Sequence, residues 1–139
     1  MTKKIHKCGI LFAVGGLLYG TIETLARGYT HWSMIILGGL CFLAVGALNE
    51  YLPWEMPLWL QMFWGGLLIT ALEFVTGCIV NLWLGWDVWD YSAEKYNLLG
   101  QICPKFTAYW ILLSGVAIVL DDWLRYLLFD EEMPKYKLF

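Results

Sequence analysis

Charge is what this chain has least of. Asp, Glu, Lys and Arg make up 15% of its 139 residues, whereas soluble domains carry about 25%. That shortage excludes an ordinary water-facing surface. There is no run of Lys or Arg, and the formal charge is −3. The electrostatic footprint of a nucleic-acid binder is therefore missing, and no nucleic-acid partner is expected. No Gly-x4-Gly-Lys-Ser/Thr occurs, so any ATP used must be bound by another polypeptide. The four cysteines, Cys8, Cys41, Cys78 and Cys103, make no Cys-x-x-Cys and have no His at metal spacing. They read as small buried apolar side chains, with a Cys78–Cys103 bridge as the one pairing worth testing. Neither His6 nor His31 lies near a Ser or Cys that it could activate, which excludes a nucleophilic triad. No motif names a cofactor or a metal, so both are left open, and whether the chain is an enzyme is open too, with a non-enzyme the leading reading.

What is present in excess is apolar. Hydrophobic residues make up 60%, and the mean hydropathy is +0.60. A hydrocarbon core of about 30 Å takes roughly 20 helical residues. Four stretches reach that length, at 8–26, 33–52, 58–84 and 106–129. The expectation is an all-α integral membrane protein, one domain over 1–139, with four transmembrane helices and one long loop at 85–105. Arg27-Gly28-Tyr29-Thr30-His31 is a tight turn, so the first two spans form a hairpin. Pro53 and Pro57 end one helix and start the next. Lys3, Lys4 and Lys7 precede an apolar stretch too long for a signal-peptide core and without an Ala-x-Ala site. It reads as an uncleaved first span.

Lys and Arg set the orientation. Lys3, Lys4, Lys7, Arg125, Lys135 and Lys137 fall on the side of the termini, and Arg27, Lys95 and Lys105 on the other. Both termini are expected in the cytoplasm, with the long loop outside. Trp32, Trp54, Trp59, Trp83, Trp86, Trp89 and Trp110 lie near helix ends, where indole rings favour the headgroup layer.

One block occurs twice. Gly15-Gly16-Leu17-Leu18 precedes Glu23, and Gly65-Gly66-Leu67-Leu68 precedes Glu73, fifty residues on. An offset spanning two crossings makes the copies parallel, which reads as two hairpins related by an axis along the membrane normal. Gly16, Gly20, Glu23 and Arg27 share one helical face, and Gly66, Thr70, Glu73 and Gly77 share its counterpart. Small residues at such spacing let helices approach closely. Glu23 has Arg27 four residues on as an ion-pair partner. Glu73 has no Lys or Arg within a turn, so at membrane depth it must protonate or find a partner on another helix. In the last span Thr107, Ser114, Asp121 and Arg125 form a polar stripe, and both Asp121 and Asp122 can reach Arg125.

The long loop interleaves aromatics with acids in Trp86-Asp87-Val88-Trp89-Asp90-Tyr91-Ser92, and continues through Asn97 and Gln101 to Cys103. Such a segment suits a lid over a pocket or cation capture by ring faces and carboxylates. It equally suits an interfacial segment with solvated acids.

Trp89-Asp90-Tyr91-Ser92, then Asn97-Leu98-x-Gly100-Gln101-Ile102-Cys103 and an apolar helix with Trp110, resembles the bacterial family of small polytopic proteins described as putative type IV ABC-transporter permeases. Glu73, Gly77 and Asn81 fit the same family, whereas Pro104 stands where the family more often has an apolar residue. The resemblance covers nearly the whole chain. It implies a protein of the bacterial cytoplasmic membrane, in contact with lipids and with a separate ATPase subunit, and a four-span chain would suit a homo-oligomer. The segment expected to face such a subunit, Glu50 to Pro57, is short.

The leading reading is a permease-like protein binding or moving a small solute, cationic or proton-coupled. The candidate binding residues are Glu23, Glu73, Thr70, Asn81, Trp86, Asp87, Trp89, Asp90, Tyr91, Asn97, Gln101, Asp121 and Arg125. The alternative is a membrane protein that does not transport, either an enzyme on a lipid-soluble substrate or a subunit holding lipid or pigment.

Overall fold

The computed structural model describes residues 2–51 and 56–131. Four α-helices account for most of them: α1 (Thr2–Arg27), α2 (Trp32–Tyr51), α3 (Leu58–Gly77) and α4 (Pro104–Phe129). No strand forms among the described residues; Leu98 and Ile102 make one isolated bridge inside the loop. Pro57 precedes α3 with φ −57°, and Pro104 opens α4, where its missing N–H costs nothing. At the far end of α4, Asp130 turns left-handed (φ 53°) and returns its N–H to Arg125. Gly28 breaks α1 from α2 at φ 84°, a conformation open to glycine.

The predicted third span continues beyond α3 as a π-helical turn, Cys78–Trp83. There Leu84 N–H reaches back five residues to Ile79 and Trp86 N–H six to Val80.

The helices pack as two antiparallel hairpins, α1 on α2 and α3 on α4, joined through α2, which touches both α3 and α4. Met34, Leu37, Cys41 and Val45 form the core stripe of α2, at helical spacing, and meet Ile69, Trp110 and Ile118. Glycines set the approach within each hairpin. A Cβ on Gly16 would lie 2.6 Å from the Ile35 carbonyl, and one on Gly66 would lie 2.7 Å from the Ile111 Cα. Gly39 likewise seats Phe12, and Gly115 seats Met62.

Two helical segments, Ile5–Arg27 and Leu58–Trp83, are long and apolar enough to cross a membrane. The apolar part of α2, Trp32–Ala47, is shorter. In α4, Lys105, Asp121, Asp122 and Arg125 dilute the apolar run. The expectation of four equivalent spans is thus met in helix number, while spanning length and apolarity hold for two. Leu17, Leu25, Phe63, Val75, Leu112 and Leu127 are exposed on the outer faces. All four cysteines are free, including Cys78 and Cys103. The connection carrying Pro53 and Trp54, and Lys135 and Lys137, lie outside the described residues.

Candidate functional site

Glu73 is 2% exposed, near the middle of the fold. Its partners come from two other elements. Trp110 of α4 donates its indole Nε1–H to Oε1 at 3.2 Å, and Tyr91 of the loop donates its hydroxyl to Oε2 at 3.1 Å. Tyr91 is held in place by stacking on Phe106, with centroids 4.6 Å apart and planes within 8°. The buried carboxylate thus has two neutral donors, and no basic side chain among the described residues pairs with it. Burial and the neighbouring Glu73 charge keep the Tyr91 hydroxyl well above the usual phenol range, so it remains a donor.

Glu23, 5% exposed, pairs with Arg27 through Oε1 at 2.7 Å and has the Thr30 side chain as a second polar neighbour. Tyr19, one turn before Glu23, lies with its ring 5.9 Å from Trp110 and interacts electrostatically with both glutamates. Glu23 and Glu73 also interact with each other. Thr70, one turn before Glu73, meets Thr107 at 3.0 Å across α3 and α4.

Beside this group lies a cavity of about 100 Å³. All four helices line it, including Leu18, Tyr19 and Ile22 of α1, Cys41 and Val45 of α2, Ile69 and Glu73 of α3, and Trp110, Val116 and Ala117 of α4. Glu73 is the one acidic side chain in an otherwise apolar and aromatic wall. Such a volume is close to that of cavities taking a benzene-sized group.

The other candidates separate into four places. Asn81, Trp89 and Gln101 stitch the loop to the π turn. Asn81 accepts from Val88 N–H at 2.7 Å and donates to Gln101 Oε1 at 2.8 Å, and Trp89 donates to the Gln101 carbonyl at 3.1 Å. Trp86 lies with its ring 5.4 Å from Trp32 and 5.8 Å from His31, over the α1–α2 turn. Asp87 and Asp90 are exposed, and Asn97 is half-buried. Asp90 accepts from the Ser92 hydroxyl and amide, which hold its carboxyl below the usual carboxylate range. Asn97 accepts from Gly100 N–H and donates to the carbonyls of Ser92 and Glu94. Asp121 and Arg125 pair at 2.9 Å at the opposite end of α4, where Arg125 also lies 3.7 Å from Glu131.

Two tryptophans differ from the headgroup-anchor expectation. Trp89 is 5% exposed and Trp110 is 9% exposed. Each is buried because a polar acceptor inside the fold takes its indole N–H. Tyr19, Cys41 and Trp110 belong to the site and were not expected there. The one signal for Tyr19 is its spacing of four before Glu23; nothing local marks the other two.

The described residues form a helical bundle with apolar outer faces and a buried carboxylate beside an apolar cavity, and two of its helices are apolar enough to cross a membrane. A family model described as putative ABC-transporter type IV matches residues 2–129, and the chain belongs to that family. No curated protein and no solved structure matches it.

Proposed function

We propose that this chain is a permease-like membrane subunit that holds a small solute at Glu73, in the cavity between its two hairpins. The observation that carries the reading is the carboxylate itself. It is almost wholly buried, bonded to neutral donors, and it lines an apolar cavity. A group so costly to bury is a functional site by default. The solute is cationic or travels with a proton, and Glu23 with Arg27 adds a second, internally paired carboxylate nearby. The family supports an association with transporter subunits, and a separate ATPase would supply the energy that this chain has no motif to harvest.

Under the same reading all four helices cross the cytoplasmic membrane as one domain, with both termini inside, the loop after Trp83 outside, and a homo-oligomer as the working unit. The exposed apolar side chains of every helix support this, since soluble monomers rarely leave such surface bare. A parallel repeat is supported by the hairpin contacts. Adding 50 to α1 numbers and 76 to α2 numbers turns Gly16–Ile35 into Gly66–Ile111, and Phe12–Gly39 into Met62–Gly115.

The test is Glu73→Gln, which keeps shape and removes the charge. Binding or uptake should fall roughly tenfold or more, as for loss of a charge-assisted hydrogen bond, with insertion and helicity unchanged. Wild-type activity in that variant would sink the proposal. The apolar lining favours one other reading, a subunit that retains a lipid-soluble molecule without moving it. Ligand that co-purifies and is never released across vesicles would select it.

A further inference from the structure

The cavity differs between its ends and its middle. At one end Lys7 of α1 pairs with Glu131, just past α4. At the other, Arg27 of α1 donates to the Val88 carbonyl at 3.0 Å, in the loop that leads into α4. Between these ties Leu18 and Ile22 of α1 and Val116 of α4 line the cavity and are themselves exposed. The opening is therefore sideways, through the apolar flank of the bundle. Further in stand the rings of Tyr19 and Trp110, and then Glu73.

Charge narrows the occupant. Of the two buried carboxylates, Glu23 is paired with Arg27 and has Thr30 as a second polar neighbour, while Glu73 has only the neutral donors Trp110 and Tyr91. Glu73 therefore has room for one positive charge, a proton or a cation. A hydrophilic cation satisfies the charge but has no route through an apolar mouth. A neutral amphiphile has the route but leaves Glu73 to carry a proton of its own, and so gains nothing from the carboxylate. Aromatic faces beside a carboxylate favour an ammonium head.

We propose that the site takes singly charged amphipathic amines from the lipid phase, entering between α1 and α4. The ammonium group sits at Glu73 beside Tyr19 and Trp110, and the alkyl body lies along Leu18, Ile22 and Val116. This rests on the binding role of Glu73 proposed above and adds the ligand class and the route.

The test uses the full chain in phosphatidylcholine nanodiscs, with empty discs subtracted, and calorimetric titration of octylammonium, methylammonium and octanol. Octylammonium should bind about tenfold more tightly than methylammonium, the factor expected for about two buried methylenes. Octanol should bind weakly. Glu73→Gln should weaken octylammonium roughly tenfold. Val116→Trp, at an exposed position that tolerates bulk, should weaken it as well, while Leu112→Trp, exposed on the same helix outside the cavity, should not. Equal affinity for methylammonium and octylammonium, both lost in Glu73→Gln, would overturn lateral entry and keep the acidic site. Octylammonium bound equally by wild type and Glu73→Gln would overturn both.

Discussion

Replacing Tyr91 with Phe removes one oxygen and leaves the stack on Phe106, 4.6 Å away, in place. The lost contact is the hydroxyl donated to Glu73 Oε2 at 3.1 Å. Hydrogen bonds to charged groups contribute about 1.5–3 kcal/mol, and 3.1 Å is long for O–H···O, so a cost of about 1.5 kcal/mol is expected. Glu73 keeps its second donor, Trp110, which is why the larger cost of a wholly unpaired carboxylate does not apply. In the Glu73→Gln background the same substitution should cost about 0.5 kcal/mol, giving a coupling near 1 kcal/mol. Unfolding in mixed micelles of mild detergent and SDS, followed by circular dichroism, measures all four corners of the cycle. The Tyr91 hydroxyl is held above the usual phenol range. Its contribution is therefore full below the unfolded value of about 10 and fades as pH rises above it. Tyr91→Phe should remove that alkaline loss. Equal costs in the two backgrounds would refute the reasoning, because Tyr91 would then stabilise the fold without reference to Glu73.

Gly66→Ala should destabilise by about 1–3 kcal/mol, since its Cβ meets backbone atoms of Ile111. Gly9→Ala, with nothing within 4 Å, should gain up to about 1 kcal/mol of helix propensity; SDS unfolding compares them. Asn81→Ala should cost about 1–3 kcal/mol by leaving the buried Val88 amide without an acceptor, and hydrogen exchange at Val88 should accelerate. Ser92→Ala should return the Asp90 carboxyl towards its ordinary value, readable by NMR titration. In wild type, the stability tied to that depressed value is present above about pH 4 and lost as pH falls further. The Ser92→Ala variant should keep only the part of this acid-side loss that the backbone amide of residue 92 supports.

Helix positions were legible because the cues are local. Pro57 and Pro104 start helices, Gly28 ends one, and the apolar runs have helical length. That Glu73 faces inward also followed from its neighbours, with small residues above and below it on one stripe. Its actual partners did not, because Trp110 lies 37 residues away and Tyr91 18 residues away. A tryptophan near a helix end reads as an interfacial anchor until the buried acceptor for its N–H is known. Asn81, Gln101 and Asn97 read as binding groups through the loop motif and the family resemblance. In the fold their amides are used on loop backbone and on each other. The cavity has no sequence counterpart, since it arises where α1 and α4 diverge from a shared contact with α2.

The π turn at Cys78–Trp83 has a consequence for how the chain tolerates change in length. Its hydrogen bonds reach back five and six residues where an α-helix reaches four. The turn acts as a slack loop of helix between a rigid rod and the segment it carries. A wider turn rotates the chain by less than the about 100° per residue of an α-helix, so its six residues wind about as far as five would in an α-helix. With this winding, Trp86 comes down beside His31 and Trp32. Removing one residue from the segment, with return to α-helical pitch, should leave the exit direction nearly where it is. The turn thus absorbs one residue of length without moving the loop to another side of the bundle.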